Sequence, residues 1–205
     1  MRIVCEQQRS EEWDLLRRRP TASNFYKFTT PAKGDYSKQA TAYACEVIAK
    51  RLGVFVEAPP SFWMEWGVEN EPWAREAYEA HDLGGDVEEV GFIMPDDTDA
   101  YGGSPDGLVG DDGMIEIKCP KPETLISYHA TGMLPDQYKP QVQGLLMIAG
   151  RDWCDFFAWH PELAPFLYRV HADFGYQAKI AANLLKLLEE IERIELAMSL
   201  RGDPK

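Results

Sequence analysis

The chain lacks any long apolar run. Nowhere in its 205 residues does a hydrophobic stretch approach the roughly 18 residues that span a bilayer. The opening MRIVCEQQRSEEW has no apolar signal-peptide core. The expectation is a soluble protein of the cytoplasm, with no membrane as partner. Cysteine is sparse: Cys5, Cys45, Cys119 and Cys154 are scattered without paired spacing, which argues against a disulfide frame and for reduced thiols. His81, His129, His160 and His171 do not stand at metal-ligand spacing from them. There is no internal repeat and no low-complexity linker. With 45% apolar residues and six Trp, disordered and collagen-like chains are excluded, and the length fits one domain over 1–205. Its core is expected at about 10–172, followed by a C-terminal helix at about 175–200.

Basic residues are missing from one region in particular. The net charge of −13 argues, at face value, against a nucleic-acid partner. Its distribution argues otherwise. Residues 1–51 carry 10 basic and 6 acidic side chains, residues 52–117 carry 1 and 17, and residues 118–205 carry 10 and 11. The negative excess therefore lies in the middle segment. A dense group of carboxylates either stays solvated or recruits a cation. The lone base there, Arg75, is expected to neutralise its acidic neighbours, and Asp96, Asp97 and Asp99 to form an exposed acidic loop.

What is present reads as helices, then strands, a helix, further strands and a last helix. Ser10 caps a short helix that ends before Pro20. Ser37 caps one over 38–52. A third, over 61–80, carries Trp63, Trp66, Trp73 and Tyr78, with Pro72 expected to kink or divide it. Strands are expected over 87–94, 101–109, 114–119, 153–159 and 166–170, with a turn at Asp111-Asp112-Gly113 and a buried helix over 140–149. In the final helix Ile180, Leu184, Leu187, Ile191, Ile194 and Met198 recur at heptad spacing, a seam expected to pack on the body of the domain. The order suggests a mixed sheet with helices packed on it, an α/β (α+β) fold.

Chemistry concentrates in Ser104-Pro105-Asp106-Gly107 and, nine residues on, Glu116-Ile117-Lys118. Phosphodiester cleavage needs a hard divalent cation, such as Mg²⁺ with Mn²⁺ as substitute, held on carboxylate oxygens beside the phosphate. It also needs a positively charged group near the attacking water. A hairpin brings Asp106 and Glu116 together. Alternation along the strand puts Lys118 on the face of Glu116 and turns the side chain of Ile117 inward, leaving the Ile117 carbonyl as a further metal ligand. A Glu-x-Lys alone is usually a solvated pair. With Pro-Asp upstream, the turn between them and apolar flanks, it becomes the PD-(D/E)xK nuclease pattern.

These segments closely resemble the phage lambda exonuclease/YqaJ viral recombinase family. So do Trp13-x-x-Leu16-Arg17 with Thr21-Ala22-Ser23, Trp66-Gly67-x-x-x-Glu71-x-x-Ala74-Arg75, and Tyr138-x-x-Gln141-Val142-Gln143, all in the family's order over roughly residues 10–160. The resemblance implies a restriction-endonuclease-like core and a Mg²⁺-dependent 5′→3′ exonuclease. Such an enzyme works on linear double-stranded DNA as a homotrimeric ring and leaves 3′ tails for a single-strand annealing protein. It implies two ions per site, with Asp106 and Glu116 as ligands and Glu71 at the second ion. Gln141 would help place the water or metal, and Lys118 would orient or activate the water. Arg17 and Ser23 would grip the 5′-terminal phosphate. The interval before Thr21 is shorter than the family's and contains Pro20, so Arg18 competes with Arg17. Trp63 and Met64 precede Trp66-Gly67: Trp63 is expected in the core, whereas for Met64 core packing and a wedge into a duplex end stand about even.

Two other readings compete with this one. A PD-(D/E)xK endonuclease, restriction or RecB-like, in DNA repair or defence, would share the metal site but not the Arg17/Ser23 apparatus. A calcium loop at Asp97-x-Asp99 fails, because its positions 5 and 12 fall on Tyr101 and Leu108.

Overall fold

The computed structural model describes residues 1–5, 7–81 and 84–201, with 200 and 201 described by their backbone alone; the domain's expected last residues, 202–205, lie outside them. In chain order the elements are β1 (Arg2–Cys5), α1 (Glu11–Leu16), a 3-10 helix (Ala22–Lys27), α2 (Ala40–Arg51) and α3 (Phe62–Glu79). Then come β2 (Val87–Glu88), β3 (Phe92–Met94), β4 (Gly107–Val109), β5 (Gly113–Lys118) and α4 (Pro122–Thr131). A 3-10 turn (Asp136–Tyr138), α5 (Lys139–Ala149), β6 (Trp153–His160), β7 (Leu163–His171) and α6 (Phe174–Arg201) complete the chain.

Five strands form one mixed sheet in the order β2-β4-β5-β6-β7, antiparallel except for the parallel pair β5–β6. The crossover between those two carries α4 and α5, as a parallel connection requires. Helix α3 lies on one face, where Ala74 and Tyr78 pack with Ile115, Ile117 and Phe157. On the other face α5 contributes Val142, Leu145 and Leu146 beside Met114, Cys154 and Val170, with α2 and α6 joining the same core. Ile180, Leu184, Leu187 and Ile191 of α6 are buried there, Ile194 packs against its margin, and Met198 is exposed. The heptad seam thus packs on the domain.

Three expectations need correction. Residues 87–94 are two strands in two sheets: β2 pairs with β4, whereas β3 pairs with β1, which periodicity did not reveal. The chain changes sheets at Gly91, whose N–H donates to the Cys5 carbonyl at 3.0 Å and whose position has no room for a Cβ. Of 101–109, only Gly107–Val109 is strand; Gly102 and Gly103 make isolated bridges to Thr21 and Ile93. Pro72 neither kinks α3 into two elements nor ends it. The helix is anchored on both sides of the proline, by Trp66 stacked on His160 at 5.6 Å and by buried Ala74 and Tyr78. Helix α4 was unforeseen, although Pro122 at its start and the left-handed Gly132 at its end are the usual punctuation.

Candidate active site

The hairpin β4–β5 builds the centre. Gly110 turns it at φ +56°, and Gly107, Leu108 and Val109 pair with Ile115, Met114 and Gly113. Asp106 precedes β4 and extends the ladder, its N–H donating to the Ile115 carbonyl at 3.2 Å. Its Oδ2 accepts the Ile117 N–H at 2.6 Å. In β5 the expected alternation holds: Ile115 and Ile117 are buried under α3, while Glu116 and Lys118 point to the opposite side. There Glu116 Oε1 accepts from Lys118 Nζ and, at 2.5 Å, from Nε2 of Gln141 in the first turn of α5. The ring of Tyr138 lies 5.6 Å from Lys118 Nζ. The sequence-predicted residues Asp106, Glu116, Lys118 and Gln141 thus meet.

The centre carries more buried negative charge than its own partners relieve. Glu116 is 1% exposed, and its Oε2 has no hydrogen-bond partner. Burial, and then the charge of Glu116, push the Asp106 carboxyl well above the ordinary carboxylate range, against the pull of Lys118. Burial by itself lowers the Lys118 ammonium, but the charges of Glu116 and Asp106 outweigh it and raise it. Lys118 is therefore an ammonium in the metal-free protein. An orphaned carboxylate oxygen next to a second, strained carboxyl is the donor set that a hard divalent cation suits.

A raised carboxyl contributes stability that is full below its unfolded pKa and is lost as pH rises through the folded value. Asp106 therefore destabilises the metal-free fold at neutral pH. Asp106→Asn, which keeps an acceptor for the Ile117 N–H, is expected to raise the thermal midpoint in EDTA by about 2–4 °C, the shift of roughly 1 kcal/mol for a chain this size. The gain shrinks toward acid pH. A melting series over pH checks this; a lower midpoint at neutral pH would contradict it.

A small cavity of about 180 Å³ at the centre is lined by Arg17 and Ser23 together with Asp106, Glu116, Lys118 and Gln141. Ser23 is held there by the 3-10 helix, whose Phe25 ring lies so close to α5 that a Cβ at Gly144 would strike it. Arg17 sits over the Trp13 ring at 4.2 Å, and Trp13 Nε1 donates to Ser104 Oγ at 2.8 Å, tying α1 to the loop that bears Asp106. Arg18 lines a separate outer pocket with Lys50 and Phe55, to which Arg17 also contributes. Geometry thus places Arg17, and not Arg18, beside the centre.

A larger cavity of about 560 Å³ shares Asp106 and Lys118 and is bounded by Met64, Glu71, Ile117 and Lys121. Met64 is 61% exposed, as a wedge would require, and Trp63, expected in the core, is 37% exposed with Lys121 Nζ 5.8 Å from its ring. Glu71 reaches this cavity, but its oxygens bond other groups: Oε1 accepts from Arg75 at 3.0 Å and Oε2 from Arg9 at 2.9 Å. Accordingly, no three His, Cys, Asp or Glu side chains form a ready metal cage among the described residues. Arg75 also pairs with Glu89 at 3.1 Å, the neutralising role expected of it. Asp96 and Asp99 pair with the N-terminal ammonium and Arg2, in an exposed loop away from the centre. The sequence did not mark Gln8, whose Nε2 donates to the carbonyls of Pro105 at 3.1 Å and Val90 at 3.3 Å, or Arg9. Neither lies in a periodic pattern, and only the folded contacts give them meaning.

The YqaJ-like viral recombinase domain matches residues 12–152, which include the whole centre. The chain belongs to this family. No curated protein matches it. Among solved structures it is similar to an alkaline exonuclease (LHK-Exo) from Laribacter hongkongensis: 34% identity, 94% of this chain and 100% of that one, TM-score 0.79. The same enzyme in complex with dAMP gives 34% identity over 94% and 98% of the two chains, TM-score 0.83. A phage-related exonuclease from Haemophilus somnus 129PT, at 13% identity over 88% and 96% with TM-score 0.65, shares the fold. The YqaJ fold is thus that of nucleases, and no described helix is long and apolar enough to cross a membrane.

Proposed function

We propose that this YqaJ-family protein is a metal-dependent 5′→3′ exonuclease. It degrades one strand of linear double-stranded DNA and leaves 3′ single-stranded tails for phage-type recombination by strand annealing. The observation that carries the reading is the pair of cavities that meet at Asp106 and Lys118, one walled by Arg17 and Ser23. A guanidinium fork and a hydroxyl suit a terminal phosphate, and the cavity they bound has room for little more than the end of one strand.

Asp106 and Glu116, with the Ile117 carbonyl, would hold Mg²⁺ or Mn²⁺, and Glu71 would serve a second ion. When bound, such ions lower the pKa of a water and stabilise charge on the phosphorus oxygens. The residues themselves do the rest. Lys118, an ammonium fixed by Glu116, donates a hydrogen bond that orients the attacking water. Gln141 holds Glu116 through Oε1 and leaves Oε2 without a protein partner, available to an ion. Arg17 and Ser23 fix the 5′ end, so that the bond presented to Asp106 and Glu116 is set by distance from that end. Met64, exposed at the mouth of the larger cavity, would separate the terminal base pair.

The reading includes a homotrimeric ring around the duplex and transfer of the tail to a single-strand annealing protein. Exposed apolar residues on α3, Phe62 and Trp73 among them, are surface that an assembly would cover.

The test is digestion of matched linear and covalently closed duplexes in Mg²⁺, with 5′-phosphate and 5′-hydroxyl ends compared. Linear 5′-phosphorylated DNA is expected to be consumed and closed circles spared. Arg17→Ala is expected to lower the rate on phosphorylated ends by about 10–100-fold, the loss of roughly 1.5–3 kcal/mol in a charged hydrogen bond, with little change on hydroxyl ends. Comparable cutting of circles would instead favour an endonuclease.

A further inference from the structure

Glu71 meets two guanidinium groups that differ in how easily they can leave. Arg75, one turn along α3, is 12% exposed and is further tied to Glu89 and to the Asp106 carbonyl. Arg9 comes from the turn between β1 and α1 and is 49% exposed. Its φ of +64° makes it the single non-glycine in the left-handed region among the described residues. A strained residue persists where the surroundings hold it, and such strain gathers at sites that switch. Here Gln8 and Ser10 hold the backbone on either side, and the Arg9 side chain reaches Glu71 at 2.9 Å.

Lys118 serves Glu116, whereas Glu71 already carries two guanidinium groups, Arg75 and Arg9, before any divalent ion enters. An ion beside Glu71 needs an oxygen whose charge is not already spent on a guanidinium. Lys118, at 26% exposure, and Arg75 are enclosed, whereas the Arg9 guanidinium can turn into water at small cost. The segment around Arg9 does not depend on that contact. Gln8 grips the Pro105 and Val90 carbonyls, and Ser10 caps α1 through the Trp13 N–H at 3.1 Å.

We propose that Arg9 is a positioning residue that occupies Glu71 in place of a divalent cation and yields it when the ion arrives, so that Arg9 sets the metal affinity of the Glu71 side of the centre. This rests on the metal-dependent reading above. It explains why the described carboxylates form no ready cage: one of them is held by an internal counter-ion.

The test is Mn²⁺ binding to the whole protein without DNA, followed through the electron paramagnetic resonance signal of free Mn²⁺. Arg9→Asn removes the charge and suits the left-handed backbone; it is expected to bind Mn²⁺ about threefold to fivefold more tightly than the natural chain, the range that an exposed ion pair commands. Arg9→Lys restores a cation and is expected to match the natural chain. Equal or weaker binding by Arg9→Asn would overturn the proposal and leave the metal site standing, as would tight binding by Arg9→Lys. Absence of saturable binding in every variant would overturn the metal-dependent reading and this proposal with it. Arg9→Gly, which adopts φ +64° freely, supplies the same comparison if Arg9→Asn does not fold.

Discussion

Lys118→Ala is expected to lower single-turnover cleavage of linear duplex by about 10²–10⁴-fold, the usual weight of a group that positions or transfers the reacting proton, while DNA affinity changes little. The ammonium is one of two donors to Glu116 Oε1, and it stands at the junction of both cavities. Its removal would take away the hydrogen bond proposed to orient the water, and it takes away part of what fixes Glu116. Arg17 and Ser23, proposed to grip the end, are untouched. Fluorescence anisotropy on the same duplex, in Ca²⁺ to prevent turnover, separates binding from chemistry. Cleavage at the natural rate would overturn the site assignment; parallel loss of binding would move Lys118 from chemistry to DNA contact.

The second large effect is one of stability, far from the reacting atoms. Asp155 on β6 is fully buried and accepts two hydrogen bonds at 2.8 Å from Arg169 and a third at 2.8 Å from the Tyr78 hydroxyl. Burial and the neighbouring carboxylate push the Tyr78 phenol upward, so it stays a donor. Breaking a buried pair costs about 3–5 kcal/mol, but Arg169 is 41% exposed and can recover water. Asp155→Ala is therefore expected to cost about 2–3 kcal/mol, a fall of roughly 5–10 °C in thermal midpoint. Tyr78→Phe should cost only about 1 kcal/mol. Tyr78 belongs to α3, so the network also fixes the helix that carries Glu71. A midpoint unchanged in Asp155→Ala would remove this account.

The gathering of the candidate site residues was more legible in the sequence than the architecture around them. Period-two alternation placed Glu116 and Lys118 on one face of β5 and Ile115 and Ile117 on the other, because a strand leaves its side chains no other choice. The turn residues announced the hairpin that brings Asp106 to them. The seam of α6 announced its own burial. Other features depend on partners distant in the chain. β1 is four residues long and becomes a strand because Phe92–Met94 lies beside it. The division of 87–94 follows from that same capture. Helix α3 survives Pro72 through tertiary anchors that no local propensity contains. The choice between Arg17 and Arg18 was likewise undecidable from spacing. It depends on which guanidinium the stacking on Trp13 turns toward the centre.

The contacts made by the first ten residues carry a consequence for the order in which the molecule assembles. Gln8 reaches Pro105 across 97 positions, Arg9 reaches Glu71 across 62, and β1 waits for β3. Closing loops of that length costs entropy that nearby pairings avoid, so they form late. This segment, made before the partners it joins, is thus among the last to dock. The centre stays incomplete until synthesis has passed α5, which brings Gln141, and residues 1–10 have folded back over the loop before β4. Until then a nascent copy has its carboxylates but not the frame that aligns them.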